Sequence, residues 1–208
     1  MSSMSGHRNE LAAYRNSPAE IARTRDLLAI VPKNLSSVLD VGARDGHFSR
    51  LLTEHFESVT ALDLTMPQFD FDRVRPVQGD LTKLPFPDDN FDVVFCAEVL
   101  EHVLALQKAC SEIERVTRPG GRLVSLDFFL PRNPVLRKIY LGYLFMNGAF
   151  WGTLLHGRPR IYTYIPDSLR SFVSIDDFSS LLRRNGYGKV DVRGFLFGGI
   201  ALHWAAKE

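Results

Sequence analysis

Short apolar runs alternate with segments of helical periodicity along most of the chain. A short continuous apolar run bounded by turn residues is typical of a buried strand, whereas apolar residues three or four apart indicate one face of a helix. Strands that alternate with helices predict a parallel α/β sheet covered on both faces. The predicted strands are 37–41, 58–62, 75–78, 91–96 and 123–128, and the helical spacing is carried by Phe48, Leu51, Leu52 and Phe56 and then by Leu106, Cys110, Ile113 and Val116.

The start of the chain departs from this alternation. Apolar positions between 10 and 30 predict one or two helices that lead to the breaker Pro32. We therefore expect an N-terminal helical segment, 1–36, ahead of an α/β domain, 37–208. Within that domain an insertion at about 132–168 separates the fifth strand from the last helix.

The end of the chain carries clear helix and hairpin signals. Ser174 and the carboxylates after it are typical of a helix start, and Gly186 should end that helix. The segments 189–197 and 199–205 are strand-like and are separated by glycine, so they should pair as an antiparallel hairpin. Earlier, the Pro-Gly-Gly at 119–121 is expected to end the preceding helix.

Composition and charge exclude several classes of protein. The 208 residues suit a single domain, and 25 Lys and Arg against 24 Asp and Glu leave no global basic field for a nucleic-acid partner. Two cysteines, Cys96 and Cys110, exclude a disulfide framework and a four-cysteine zinc site. The amino terminus has no apolar core of the secretory kind, so a cytoplasmic protein is expected.

A glycine-containing segment, 38–49, lies between the first predicted strand and the following helix. Gly42 and Gly46 let the backbone turn tightly and approach a ligand without an intervening Cβ. In open α/β sheets, ligands bind at the carboxyl ends of the strands, where the strand order reverses. Asp63 ends the second strand and can accept hydrogen bonds from a ribose diol. Asp80 follows the third strand, where it can accept from an adenine amino group.

Three classes of nucleotide ligand compete for such a crevice. A P-loop requires Gly-Lys followed by Ser or Thr, which this segment lacks. A dinucleotide site seats a pyrophosphate against its glycines, but the carboxylates of Asp40 and Asp45 would repel one. The same carboxylates would attract a ligand that carries an ammonium and a sulfonium, so the residues favour S-adenosylmethionine over NAD.

Ordered blocks at 38–46, Asp63, Asp80, 84–87, 91–92 and 118–123 together resemble the class I S-adenosylmethionine-dependent methyltransferases. The resemblance implies a Rossmann-like, doubly wound, mostly parallel seven-stranded sheet with a C-terminal antiparallel hairpin and a helical lid insertion. It also implies that Asp63 holds the ribose, that Asp80 and Leu81 hold the adenine, and that the glycine loop binds the methionine end. Asp40 either orients this loop or contacts the cofactor. The predicted cofactor-binding residues are Asp40, Gly42, Ala43, Arg44, Asp45, Gly46, Asp63, Leu64, Asp80, Leu81 and Ala97.

The C-terminal half resembles a narrower family. The segments 126–131, 136–140, 162–168 and 198–203 are similar in order and spacing to those of the ubiquinone/menaquinone biosynthesis C-methyltransferases. That family methylates a ring carbon of a polyprenylated quinol, so the resemblance implies a small-molecule or lipid-like aromatic substrate such as demethylmenaquinol. Peripheral contact with a membrane and a homodimer both stay open, and no nucleic-acid partner is expected.

The segment 97–103 leaves other functions open, because Ala-Glu-Val-Leu-Glu-His-Val also matches small-molecule methyltransferases in general. The alternatives are an O- or N-methyltransferase of another small aromatic or lipid-like metabolite and a non-catalytic assembly protein with this fold. Glu98, Glu101 and His102 have a spacing that can hold a divalent metal. Two or three ligands make a poor site for a hard cation, so we favour local hydrogen bonding and predict no metal.

Methylation of a ring carbon is helped by a general base that removes the neighbouring phenol proton. The candidate catalytic residues are His102, Asp127 at the end of the fifth strand, and Tyr164. The uncharged, aromatic-rich stretch 139–155 can cover the active site and shelter a prenyl chain. Its length and its glycines favour a lid or a membrane-dipping helix over a membrane span or plain core packing.

Overall fold

The computed structural model describes residues 15–16, 18–156, 169 and 172–208. The chain divides into two units, Met1–Pro32 and Lys33–Glu208. The first unit holds the helix α1 (Pro18–Ile30), in the stretch where the sequence predicted one or two helices. Its first residue is a proline, which suits a position whose N–H would have no helical partner.

Seven strands form one sheet in the second unit. They are β1 (Leu35–Val41), β2 (Phe56–Asp63), β3 (Val74–Gln78), β4 (Phe91–Ala97), β5 (Thr117–Phe128), β6 (Tyr187–Phe195) and β7 (Ile200–Lys207). Their order is β3-β2-β1-β4-β5-β7-β6. The first five strands pair in parallel, and β7 runs antiparallel to both of its neighbours, β5 and β6. The mostly parallel seven-stranded sheet with a C-terminal hairpin is thus confirmed.

The α-helices that accompany the sheet include α2 (His47–Leu52), α3 (Leu106–Val116), α4 (Pro134–His156) and α5 (Ile175–Arg184). The central strands β1 and β4 are buried over most of their length, as expected for parallel strands covered on both faces. Their near-continuous apolar runs follow from that burial. The prediction that Phe56 belongs to the face of α2 is wrong, because Phe56 is the first residue of β2.

Helix α3 confirms its predicted apolar face, since Leu106, Cys110, Ile113 and Val116 are all buried. The helix ends at Val116, before the Pro-Gly-Gly that was expected to stop it. Those three residues lie within β5, whose first residue, Thr117, pairs with Phe91 across a register shift. The fifth strand therefore begins six residues earlier than predicted.

The C-terminal elements follow their sequence signals closely. The Ser174 hydroxyl accepts a hydrogen bond from the Asp177 backbone N–H at 3.1 Å and caps α5. The predicted hairpin is confirmed, but its turn is longer than a glycine pair: Phe195 pairs with Ile200, and a short 3-10 helix, Leu196–Gly198, lies between them.

Helix α4 occupies the predicted aromatic-rich insertion as a continuous helix of 23 residues. Glycines within the sequence 134–156 do not end this helix. Of the helices in the described residues, none combines the length and the apolar character that a bilayer crossing requires.

Candidate active site

A cavity of about 240 Å³ lies at the carboxyl ends of the central strands, where the strand order reverses between β1 and β4. Such a reversal opens a crevice, because the connections leave the two strands in opposite directions. We call this space the cofactor cavity. It is lined by Val41, Gly42, Arg44, Leu62, Asp63, Leu64, Gly79, Asp80, Leu81, Glu98, Val99, His102 and Val103.

The floor of the cofactor cavity is the turn after β1. Gly42 has a φ of +75°, and its N–H donates to the carbonyl of Leu62 at 2.8 Å, so the turn is held against β2. A Cβ at Gly42 would stand 3.0 Å from a methyl carbon of Val99. Glycine at this position therefore satisfies both the backbone conformation and the close approach of the opposite wall.

Asp63 ends β2 with its carboxylate fixed by two backbone amides. Its Oδ2 accepts from the Arg44 N–H at 3.0 Å, and its Oδ1 accepts from the Thr65 N–H at 3.3 Å. Each carboxylate oxygen can accept more than one hydrogen bond, so the fixed carboxylate retains acceptor capacity on the cavity wall.

Asp80 lines the cavity from the turn after β3. Its Oδ1 accepts from the Thr82 backbone N–H at 2.7 Å and from the Thr82 hydroxyl at 2.9 Å. These two hydrogen bonds lower the pKa of Asp80, so its carboxyl group is ionised at neutral pH. The next residue, Leu81, is buried and supplies an apolar surface beside this charge.

Asp40 does not line the cofactor cavity. It is buried in β1, and its Oδ2 accepts a hydrogen bond from the Ser49 hydroxyl of α2 at 2.5 Å. Burial, helped by the nearby charges of Asp63 and Asp45, raises the pKa of Asp40 to about 7. Of its two predicted roles, this geometry supports the orienting one, because the contact ties the first strand to the helix after the turn.

Four other predicted cofactor residues also lie off the cavity wall, namely Ala43, Asp45, Gly46 and Ala97. Ala43 is buried beneath the turn. Gly46, with a φ of +76°, is the residue at which α2 begins, and a Cβ there would stand 2.7 Å from the rings of Phe69 and Phe71. Ala43, Asp45 and Gly46 belong to the turn, whereas Ala97 ends β4, and any direct contact of these four with a ligand stays a prediction.

The segment after β4 forms the opposite wall and is held by two buried carboxylates. Asp127 Oδ1 accepts from the backbone N–H of Leu100 at 2.9 Å and of Val99 at 3.3 Å. Glu101 accepts from the backbone N–H of Phe128. Asp127 is fully buried and does not line the cavity, and its burial raises its pKa to about 7. Asp127 therefore holds the wall in place through its hydrogen bonds to the Val99 and Leu100 backbone.

His102 is the predicted catalytic residue that the structure places on the cavity wall. Partial burial lowers the pKa of His102; the charge of Glu98 opposes this shift, and the charge of Arg44 adds to it. The imidazole is consequently neutral at pH 7 and able to accept a proton. The third predicted catalytic residue, Tyr164, lies outside the described residues.

The proposed metal-binding spacing does not form a ligand cluster. Among the described residues no group of three His, Cys, Asp or Glu side chains is arranged to hold a metal ion. Glu98 and His102 both face the cavity, whereas Glu101 is buried and engaged by the Phe128 amide. This contact reaches β5, 27 residues further along the chain, so it differs from the local hydrogen bonding that the sequence favoured.

Sequence reasoning missed several residues of the wall. Val99 and Val103 contribute apolar surface, and Gly79 allows close packing because a Cβ there would lie 2.9 Å from Leu62. The signal for Gly79 was available, since it directly precedes Asp80. For the two valines no local pattern distinguishes cavity lining from core packing.

The charge of the wall fits a cationic nucleoside. Asp63, Asp80 and Glu98 place three carboxylates around the cavity, against the single guanidinium of Arg44 among the lining residues. A pyrophosphate would be repelled by this set, whereas an ammonium and a sulfonium would be attracted. The glycine turn, the ribose-competent carboxylate and this charge balance together fit S-adenosylmethionine.

Known proteins are similar to this chain in sequence. A family profile described as a methyltransferase domain matches residues 39–125. The demethylmenaquinone methyltransferase of Clavibacter sepedonicus is 31% identical over 90% of this chain and 78% of its own length. The ubiquinone/menaquinone biosynthesis C-methyltransferase UbiE of Azotobacter vinelandii is 34% identical over 82% of this chain and 73% of its own length.

A solved structure supports the same fold. Phosphoethanolamine N-methyltransferase 2 of Haemonchus contortus, in complex with S-adenosyl-L-methionine, superimposes with a TM-score of 0.65 over 92% of this chain and 53% of that one, at 16% identity. The cavity and the sequence relations thus identify an enzyme whose cofactor is S-adenosylmethionine. The chain belongs to the class I S-adenosylmethionine-dependent methyltransferases and, by sequence, to the ubiquinone/menaquinone C-methyltransferase family within them.

Proposed function

We propose that this enzyme methylates a ring carbon of a prenylated quinol, such as demethylmenaquinol. The relatives that cover most of the chain carry names of this activity. The structural observation that carries the proposal is helix α4, an apolar and aromatic helix without a single acidic residue, whose Tyr140 hydroxyl donates to the carbonyl of Gly199 at 3.0 Å. Burial, helped by the charge of Glu101, raises the pKa of Tyr140 to about 12. An apolar ring and a prenyl chain would find apolar contacts there.

The cofactor-binding roles follow from the geometry of the wall. Asp63 would accept hydrogen bonds from the ribose hydroxyls, with Leu64 beside it, and Asp80 and Leu81 would bind the adenine. The turn at Gly42 would lie against the methionine end. Asp40 would act from beneath the turn through its hydrogen bond to Ser49. When bound, the cofactor supplies an activated methyl group, so the protein needs alignment and exclusion of water more than strong acid–base power.

His102 would serve as the general base. A neutral imidazole on the cavity wall can take the phenol proton of the acceptor, which raises the electron density at the ring carbon to be methylated. Asp127 would be a positioning residue, since it holds the Val99 and Leu100 amides and so fixes the segment that carries His102. Tyr164 stays a prediction as a further proton acceptor.

The test is the chemical identity of the product. The protein is incubated with isotopically methyl-labelled S-adenosylmethionine and demethylmenaquinol, and the labelled product is isolated. A ring-methylated quinol can still be oxidised to its quinone with the label retained, whereas a methyl ether blocks that two-electron oxidation. We expect a labelled product that oxidises to the quinone.

The same assay separates the alternative functions. Glu98 and His102 on the wall are the observation that favours an O-methyltransferase, and such an enzyme would give a label that resists conversion to the quinone. An O-methyltransferase that uses a metal would also lose activity in EDTA and regain it with magnesium. Binding of the cofactor without any labelled product from the quinol or from a total lipid extract would instead indicate a non-catalytic protein.

A further inference from the structure

One face of α4 presents large apolar side chains to solvent. Val135, Ile139, Tyr143, Met146 and Phe150 are all exposed, with Ile139 at 63% and Met146 at 71%. At about 100° per residue these five positions fall within an arc of about 80° on the helix surface. A contiguous exposed apolar surface of this kind marks an interaction site more often than scattered apolar residues do. We call these five residues the apolar stripe.

The turn between β6 and β7 exposes two further apolar side chains. Leu196 is 61% exposed and Phe197 is 84% exposed, and their φ angles are +47° and +57°. Residues with a Cβ rarely adopt this left-handed conformation, and two in succession are rarer still. A strained backbone that directs two apolar side chains into water indicates a binding role for this turn.

The turn and the helix form one continuous surface. The Tyr140 hydroxyl donates to the carbonyl of Gly199 at 3.0 Å. A Cβ at Gly199 would stand 2.9 Å from the Tyr140 ring, so glycine allows this contact. Tyr140 lies on the side of α4 that adjoins the apolar stripe, and the exposed Phe197 is therefore held beside it.

Basic side chains border this surface. Helix α4 contains no Asp or Glu over its 23 residues, and its exposed Lys138 lies about 60° around the helix from the edge of the apolar stripe. On β6, the exposed Arg193 lies with its guanidinium carbon 5.1 Å from the centre of the Phe195 ring. At the start of α5, the carboxylate of Asp176 is paired with Arg132. The charge that borders the apolar residues is thus positive and suits an anionic partner.

We propose that the apolar stripe and the Leu196–Phe197 turn bind the surface of a bilayer that contains anionic lipids. Apolar and aromatic residues enter the region between headgroups and acyl chains, and Lys138 and Arg193 lie at the level of the headgroups. Helix α4 would then lie in the plane of the interface. The inference extends the proposed function, because a prenylated quinol resides in a bilayer, but binding to lipid needs neither cofactor nor substrate and is measured without them.

Vesicle flotation tests the proposal. The full-length protein is mixed with vesicles of phosphatidylcholine alone or of phosphatidylcholine with phosphatidylglycerol. We expect it to float with the mixed vesicles, and added salt should weaken this binding because salt screens the charges. The variant Ile139→Ser/Phe197→Ser should lower the partition coefficient at least about tenfold, since it removes two large apolar side chains from the interface. The matched control is Ile21→Ser, an exposed isoleucine of α1 (56%), and it should bind like the native protein.

Several results would overturn this inference. One is that the native protein binds neither kind of vesicle. Another is that the double variant keeps the native melting temperature and still floats with the mixed vesicles as the native protein does. The inference would also fail if the native protein were a dimer in solution, the double variant were a monomer, and neither protein bound vesicles. A second copy of the chain would then cover the surface. Vesicle binding without ring methylation refutes the proposed function alone, whereas ring methylation of a water-soluble short-chain quinol without vesicle binding refutes this inference alone.

Discussion

Replacing Asp63 with asparagine tests the assignment of the cofactor cavity most directly. In the native chain the two carboxylate oxygens accept the Arg44 and Thr65 amides and keep lone pairs for ribose hydroxyls. The asparagine side chain has one oxygen, so one backbone N–H would face an NH₂ group and one ribose acceptor would be lost. A hydrogen bond to a charged group contributes about 1.5–3 kcal/mol. Loss of one such bond raises the Kd for S-adenosylmethionine about 10- to 150-fold.

Isothermal titration of native and Asp63→Asn protein with S-adenosylmethionine measures this difference. Asp72→Asn is the matched control, because Asp72 is an exposed carboxylate on the same connection between β2 and β3 and lies off the cavity wall. Its Kd should stay near the native value. A native-like Kd for the Asp63 variant, at an unchanged melting temperature, would refute the ribose contact. Equal weakening by both variants would show that only the overall charge matters.

Two further predictions concern groups that titrate. Asp40→Asn should raise the free energy of unfolding at about pH 8 and leave it nearly unchanged at about pH 4. The pKa of Asp40 is about 7 in the folded protein and 3.8 in the unfolded chain, so the native protein loses stability as the pH rises through that range. The loss amounts to up to about 4 kcal/mol, and the asparagine variant avoids it. Urea unfolding at both pH values measures this, and an equal effect at both would contradict the burial argument. His102→Gln should lower kcat about 100-fold or more with little change in the Kd of the cofactor. In the native enzyme the rate should increase with pH as His102 loses its proton, with a pKa below the usual 6.5. His55→Gln, which lies off the cavity wall, is its control, and an unchanged kcat for the His102 variant would exclude the base role.

Most of the fold could be predicted from the sequence, because the central strands are buried on both faces and read as continuous apolar runs. Helix α3 could also be predicted, because only one of its faces is buried and its apolar residues therefore recur at helical spacing. The start of β5 could not be predicted, since its first pair, Thr117 with Phe91, is separated from the rest of the ladder by a register shift at Pro-Gly-Gly. Local composition there is typical of a turn, and only the neighbouring strand makes it part of the sheet.

The site residues that directly follow parallel strands could be predicted from the sequence, because the carboxyl ends of such strands lie at one edge of the sheet. Asp63 and Asp80 each follow a parallel strand, so they reach the same edge of the sheet, and both line the cavity. The turn after β1 was harder to resolve residue by residue. Its successive side chains point in different directions, and Arg44 reaches the cavity while Ala43 and Asp45 do not.

The two carboxylates behind His102 show why residue type and position do not fix a chemical role. Asp127 ends a central strand at the edge where catalytic groups collect, and the sequence therefore favoured it as a base. Its first oxygen accepts two backbone amides from Val99 and Leu100, and Glu101 accepts the Phe128 amide in return, so the loop and β5 hold each other through reciprocal contacts. The loop backbone includes a left-handed Glu98, with a φ of +56°, which ordinary hairpin or helix geometry would not maintain. The carboxylates supply the acceptors that keep this loop in place, and the imidazole at its end is thereby presented to the cavity.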